Sequence, residues 1–373
     1  IKGAKQDMEI SIIGLPKSGK TTVFNALTGS TAETGAYSPQ SATPNIGMAK
    51  VADERIDALS ALFEPKKTTY AEVKYVDIAL PPKPQDSQAG LDDQIIAHIA
   101  NTDCIIHVVR AFEDENVPHT DGSVDAHRDI SAIEMELTFS DLGLIEKRLK
   151  RIKEGLKGSK PAERDMALKE TAILEDIKAK LEESIPVRQQ NLSEEIIKAT
   201  SHYQFMTSKP LLVLVNIGEA QIDSAKEIEE DLRENNDQSG TEIVTLCAKL
   251  EMELSEMKDD EAQEMREAMG LAESAVGSVI NASYKLLGYI SFFTYGTDEV
   301  RAWTISEGTN AQRAAGKIHT DLEKGFIRSE VIKCDKLLEH KSVAEARKHA
   351  AVQLEGKNYI VRDGDCVTVL FNV

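Results

Sequence analysis

Eight residues near the start constrain this chain more than any others. Gly14-Leu15-Pro16-Lys17-Ser18-Gly19-Lys20-Thr21 fits the pattern G-x-x-x-x-G-K-[ST]. The run Met8–Ile13 before it is short, apolar and rich in β-branched residues, and Val23, Ala26 and Leu27 after it fall at helical spacing. The local reading is therefore strand, turn, helix. Glycines let backbone wrap round an anion with several N–H groups pointing inward, and a helix that starts there adds its positive end. Gly14, Lys17, Ser18, Gly19, Lys20, Thr21 and Thr22 are the phosphate-binding candidates. Lys20 reaches the β- and γ-phosphates, and the Thr21 hydroxyl joins a Mg²⁺ shell. Kinases, GTPases and ATPases all use such a loop, so the reaction has to be read from the rest of the chain.

That remainder alternates. Strands are expected over 71–78, 104–109, 211–215 and 242–246, with helical stretches between them, which argues for a mostly parallel α/β sheet. From about 129 to 205 the pattern is helical: Ile130, Ile133 and Leu137, then Leu142, Ile145, Leu149 and Ile152, a turn at Gly155, Gly158 and Pro161, and Ile173, Ile177 and Leu181. This reads as an inserted helical hairpin, or as an ordinary pair of surface helices. After about 289, short β-like runs (291–294, 300–305, 326–331, 359–361, 366–371) alternate with helical pieces over 311–318 and 343–353, as in a small mixed domain. The expected division is 8–128 with 206–288 for nucleotide binding, 129–205 for the hairpin and 289–373 for the C-terminal domain. Residues 1–7, before Met8, are expected to be an extension.

Composition closes several options. No window holds eighteen consecutive apolar residues, so no membrane span is expected. Cys104, Cys247, Cys334 and Cys366 lie far apart with no C-x-x-C pair, which suits a reducing cytoplasm and not a disulfide scaffold. The formal charge is −19, so wholesale nucleic-acid coating and DNA sequence recognition are not expected. The hairpin reverses that sign locally with Lys147, Arg148, Lys150, Arg151, Lys153, Lys157 and Lys160 against Glu146 and Glu154. Such a run either tracks RNA phosphates or is a solvated, salt-bridged face.

Further motifs carry a family resemblance. They are Pro44-Asn45-Ile46-Gly47, Tyr75-Val76-Asp77-Ile78-Ala79, His107-Val108-Val109-Arg110-Ala111-Phe112-Glu113-Asp114, Glu299-Val300-Arg301-Ala302-Trp303-Thr304 and Leu354-Glu355-Gly356-Lys357-Asn358-Tyr359-Ile360-Val361. In order and over the full length, they make the chain resemble the YchF, or Obg-like, ATPases among the translation-factor P-loop proteins. The resemblance implies a Ras-like P-loop NTPase domain, an inserted coiled-coil hairpin and a C-terminal TGS domain of ubiquitin-like β-grasp shape. It also implies ribosome or ribosomal RNA association.

The base-reading segment is Val215-Asn216-Ile217-Gly218-Glu219. Ordinary GTPases have N-K-x-D here, with the Asp accepting from the guanine edge. Glu219 is one methylene longer, and the Asn216 amide both donates and accepts, as adenine N7 and N6–H₂ require. The residues lean toward ATP, in line with the resemblance, and GTP stays open. The backbone at Ala248, in Cys247-Ala248-Lys249, is expected at the base edge, with Lys249 beside it.

The hydrolytic parts depart from the usual pattern. Asp77 stands where a D-x-x-G motif would start, but its glycine is missing and Pro81 and Pro82 follow, so a stiffer switch is expected. Thr21, Ser41 and Asp77 are the Mg²⁺ candidates. No Gln follows Asp77 to orient water; the resemblance points instead to His119. Arg110 could reach phosphate, but reads first as a strand-end ion pair. The leading expectation is a cytoplasmic, slowly hydrolysing ATPase switch at the ribosome, with ATP or GTP and Mg²⁺ as ligands and His119 and Lys20 as catalytic groups. A nucleotide-binding adaptor without turnover is the alternative, and a small-molecule kinase is the weakest reading.

Overall fold

Continuous apolar runs decide the centre of the first sheet. Cys104–Arg110 and Leu211–Asn216 are buried at every position, as strands covered on both faces must be. The computed structural model describes residues 8–32, 44–78, 93–156, 160–236, 240–269, 271 and 274–372. The chain runs β1 (Met8–Ile13), α1 (Lys20–Thr28), β2 (Asn45–Lys50), α2 (Glu54–Phe63), β3 (Lys67–Thr69), β4 (Glu72–Asp77), α3 (Asp93–Asn101) and β5 (Cys104–Arg110). It continues through α4 (Ala126–Gly155), α5 (Pro161–Glu182), α6 (Glu194–Thr200), β6 (Leu211–Asn216), α7 (Ala225–Asn236), β7 (Thr241–Leu246), α8 (Ala248–Ser255), α9 (Asp259–Ala268) and α10 (Ala275–Leu286). Then follow β8 (Tyr289–Thr294), β9 (Glu299–Ser306), α11 (Ala311–Ile318), α12 (Thr320–Lys324), β10 (Phe326–Lys333), α13 (Cys334–His340), α14 (Val343–Lys348), β11 (Gln353–Glu355) and β12 (Asp365–Phe371).

Two units result. One takes the chain up to Met48 and again over Lys74–Val279; the other takes Ala49–Val73 and Ile280–Val373. In the first, the strand order is β2-β4-β1-β5-β6-β7, and β1, β5, β6 and β7 are parallel neighbours. This is the expected α/β architecture.

The helical insertion begins later than position 129. Ile130, Ile133 and Leu137, on the first half of α4, pack into the core of the parallel sheet with Ile95, Ile99 and Val213. Ile145 and Ile152 of the same helix pack instead with Leu174, Ile177 and Leu181 of α5 and with Phe205. One unbroken helix thus serves two cores, because its apolar stripe continues across the join. Asp141 marks that join. Its buried carboxylate accepts from the backbone N–H groups of Met206 and Thr207, both at 2.9 Å, and from the Thr207 hydroxyl at 2.7 Å.

In the second unit, the order β11-β10-β12-β8-β9, with β12 parallel to β8 and antiparallel pairs around them, is that of a β-grasp sheet. Phe292, Ile305, Val331 and Val367 pack with Ala311 and Ala314 of α11. Residues 359–361, expected as a strand, contribute only the bridge Asn310↔Ile360, and β11 forms where a helix end was expected. The sheet also gains a sixth strand: β3 pairs in parallel with β9, Lys67 opposite Glu299. Residues 49–73 therefore belong to this unit, whereas the sequence reading put them with the nucleotide-binding domain.

Candidate functional site

The phosphate loop sits between β1 and α1, and close approaches dictate its glycines. A β-carbon on Gly14 would lie 2.4 Å from the Val108 carbonyl oxygen. Gly19 has φ +91, and a β-carbon there would lie 2.2 Å from the Asn216 side-chain nitrogen. Lys17, which is exposed, takes φ +66, a costly conformation for a side chain of this kind and one that clusters at functional sites. Among the described residues no side chain caps α1, and its first turn holds no acidic residue. Its leading N–H groups, including those of Thr21 and Thr22, are therefore left for an anion.

Lys20 donates through Nζ to the carbonyl oxygens of Gly14 and Leu15, both at 2.9 Å. Burial pushes its ammonium down to about 8, only partly offset by the charge of Asp77. The Thr21 hydroxyl donates to Asp77 Oδ2 at 3.0 Å, and Asn45 Nδ2 reaches the same oxygen at 3.3 Å. Asp77 Oδ1 and Ser18 Oγ are buried without a hydrogen-bond partner among the described residues. A carboxyl oxygen orphaned beside a hydroxyl fits Mg²⁺, which typically takes only one or two carboxylates plus phosphates and waters. No cluster of three or more His, Cys, Asp or Glu that could hold a metal occurs among the described residues. Ser41, the third Mg²⁺ candidate, and Pro81 and Pro82 lie outside the described residues.

The segment expected to read the base closes onto this loop. Asn216 Nδ2 donates to the Ser18 carbonyl at 3.0 Å, and its Oδ1 accepts from the Ala248 N–H at 3.2 Å. Both ends of the amide therefore tie three loops together, with one N–H and one lone pair uncommitted among the described residues. Ile217 is buried, with its N–H on the Leu246 carbonyl at 3.0 Å. Glu219 is half-exposed and its carboxylate lies 3.4 Å from Lys249 Nζ, so the two groups stand side by side across the two loops.

Among the described residues Arg110 joins no ion pair. Its buried guanidinium donates through Nε to the Phe112 carbonyl at 3.0 Å and lies 4.4 Å from the centre of that ring, with Nη1 unpartnered. Phe112 borders both Gly19 and Gly218. His119 is enclosed. One ring nitrogen lies 2.9 Å from Asp129 Oδ2, and the other accepts from the Asp121 N–H at 3.1 Å. Arg128 holds the second Asp129 oxygen at 2.9 Å. His107 is a second buried imidazole, without a hydrogen-bond partner among the described residues and pushed down to about 3 by burial, so it stays neutral at physiological pH.

The sequence reading assigned no role to Asn45, although it quoted the motif that contains it. It also assigned no role to Phe112, which borders Gly19 and Gly218, or to Gln221, whose partners only the fold brings near. On the hairpin, Lys147, Lys150, Arg151 and Lys153 are exposed and join no ion pair among the described residues, while Arg148 pairs with Glu170 at 2.7 Å.

A family model described as a 50S ribosome-binding GTPase matches residues 9–140. A second, for the C-terminal part of YchF GTPases and described as a protein of unknown function, matches residues 289–372. A Bacillus subtilis (strain 168) protein named ribosome-binding ATPase YchF is 39% identical over 97% of this chain and 98% of its own. The chain belongs to the YchF family. A relative of the same name from Escherichia coli O157:H7 is 38% identical, again over 97% of this chain and 98% of its own. The solved structure of the Schizosaccharomyces pombe YchF GTPase matches with a TM-score of 0.84 at 31% identity, covering 98% of both chains. The family's architecture is thus the one built here: a phosphate-loop α/β unit with a helical insertion, followed by a β-grasp unit.

Proposed function

We propose that this chain is a nucleotide-dependent switch that binds Mg·ATP, hydrolyses it slowly and acts on the ribosome. The observation that carries the reading is the constellation of Lys20, Thr21 and Asp77, with a buried carboxylate oxygen left for a cation beside an uncapped helix start. Lys20 exchanges its two carbonyl acceptors for β- and γ-phosphate oxygens, which strengthens its bonds because the acceptors become charged. Thr21 and Asp77 would hold Mg²⁺, which would supply charge neutralisation to the phosphates. Asn216, Ile217, Glu219, Ala248 and Lys249 form the base edge, where the longer Glu219 disfavours guanine.

His119 is the proposed water-positioning group. It must first leave Asp129, since both ring nitrogens are engaged. That engagement also favours a second reading, an adaptor that binds ATP and turns over little until a partner frees the imidazole. Relatives named as ribosome-binding support a ribosomal partner, and the unpaired cations of α4 offer a face for RNA phosphates. A cytoplasmic setting also suits the four free, buried cysteines.

Titration calorimetry with Mg·ATP and Mg·GTP, followed by single-turnover hydrolysis, tests these readings. The switch requires ATP to bind more tightly than GTP. It also requires a turnover rate that falls about a hundredfold in His119→Ala while ATP affinity holds. Tight ATP binding with no turnover, even with ribosomes present, supports the adaptor. A GTP preference would overturn the roles given to Asn216 and Glu219.

A further inference from the structure

We infer that Gln221 is a positioning residue for base selectivity: its carboxamide sets the place of Glu219 and so the discrimination between adenine and guanine nucleotides. The inference rests on the nucleotide-binding reading above.

Glu219 has nothing rigid to lean on. Its side chain is half-exposed and its only described partner, Lys249, is itself largely exposed. An exposed ion pair of this kind fixes little. The place of Glu219 is therefore set by its backbone, and a single neighbouring side chain closes that backbone. Gln221 Oε1 accepts from the Gly218 N–H at 2.8 Å, while the Gln221 N–H returns to the Gly218 carbonyl at 3.0 Å. The other end of the same carboxamide, Nε2, donates to the Ala111 carbonyl at 3.0 Å. The Ala111 N–H in turn donates to the Asn216 carbonyl at 2.9 Å. One side chain thus clamps the turn that carries Glu219 onto the segment that carries Phe112. The Phe112 β-carbon lies 3.5 Å from where a β-carbon on Gly218 would stand, so the two segments are already in contact there.

The chemistry explains why a carboxamide is needed. The clamp needs an acceptor at one end and a donor at the other, a combination that Glu cannot supply when ionised. Gln221→Glu keeps the size and the bond from Gly218 N–H, but sets a carboxylate oxygen against the Ala111 carbonyl. The turn then swings and Glu219 with it. The phosphate loop contributes neither partner, so triphosphate contacts are unaffected.

The experiment measures dissociation constants by calorimetry for Mg·ATP, Mg·GTP and Mg·tripolyphosphate. It uses the full chain, Gln221→Glu and Gln221→Ala, each with its thermal midpoint. The expected result is a five- to twentyfold loss in the ATP:GTP affinity ratio, on the scale of one or two lost hydrogen bonds, with tripolyphosphate affinity unchanged. A purely structural role would weaken all three ligands together and leave the ratio intact, which overturns the proposal. Should Gln221→Ala fail to fold, the isosteric Gln221→Glu decides. A parent chain that binds neither nucleotide sinks the underlying reading. A parent that selects ATP while Gln221→Glu selects it equally well sinks this proposal alone.

Discussion

Lys20 illustrates how a single residue links folding to ligand binding. Its ammonium donates to the carbonyl oxygens of Gly14 and Leu15, and burial lowers it from 10.5 to about 8. Between those two values the unfolded chain holds a proton that the native chain lacks. The stability contributed by this group therefore rises as pH rises through that window, and the full burial penalty applies below it. A triphosphate reverses the balance, because its charge favours the ammonium. Binding of Mg·ATP at about pH 9 is accordingly expected to take up a proton, seen as buffer-dependent heats in calorimetry. Lys20→Met should abolish that uptake and weaken binding at least about a hundredfold, on the scale of a buried charge-assisted contact. Heats independent of buffer would show that Lys20 is already charged. The motif made Lys20 legible from sequence alone. His119 and Arg110 were not legible in the same way, because a histidine in a loop and an arginine at a strand end have many possible partners. Only the fold put Asp129 beside one and the Phe112 ring beside the other.

At the scale of elements, α4 is the instructive case. Its apolar period was plain in the sequence, but period alone cannot say which core each turn enters. Asp141 sits where the helix passes from one core to the other, and it satisfies two backbone N–H groups and a hydroxyl there. Asp141→Ala should cost about 2–4 kcal/mol, because it strands those buried donors and does not merely remove one favourable contact. Urea denaturation should show a lower midpoint with an unchanged slope, and a loss under about 0.5 kcal/mol would mean that water replaces the carboxylate. β5 and β6 were legible because strands buried on both faces must be continuously apolar. β3 was not: Lys67-Thr68-Thr69 has neither apolar residues nor alternation, and it is a strand only because β9 supplies the partner.

At the scale of the whole chain, the second unit is completed by a distant segment. β3 pairs with β9, and α2 packs on β9 and α13, with Ile56 and Leu59 fully buried. Arg55 on α2 donates to Asp363 at 2.6 Å, and its guanidinium lies 5.2 Å from the centre of the Phe293 ring. Losing the burial of Ile56 and Leu59 alone costs roughly 3–6 kcal/mol, comparable with the whole stability of a small domain. A fragment of residues 280–373 should therefore melt without a cooperative transition. The same fragment joined to residues 49–73 by a flexible linker should regain one, as followed by circular dichroism. Cooperative unfolding of the short fragment would show that α2 and β3 are accessory. The segment reaches this unit between Asn45 and Asp77, two residues that meet at the proposed Mg²⁺ site. The sequence by itself determined what depends on neighbours in the chain: the phosphate loop through its glycines and lysine, the buried strands through their composition, and the helical insertion through its period. Tertiary structure alone decided the sixth strand of the second sheet, the enclosure of His119 and the clamp made by Gln221. Each of these depends on a hydrogen-bond or packing partner that no local pattern encodes, and the free energy of that partnership exists only once the chain has brought the two together.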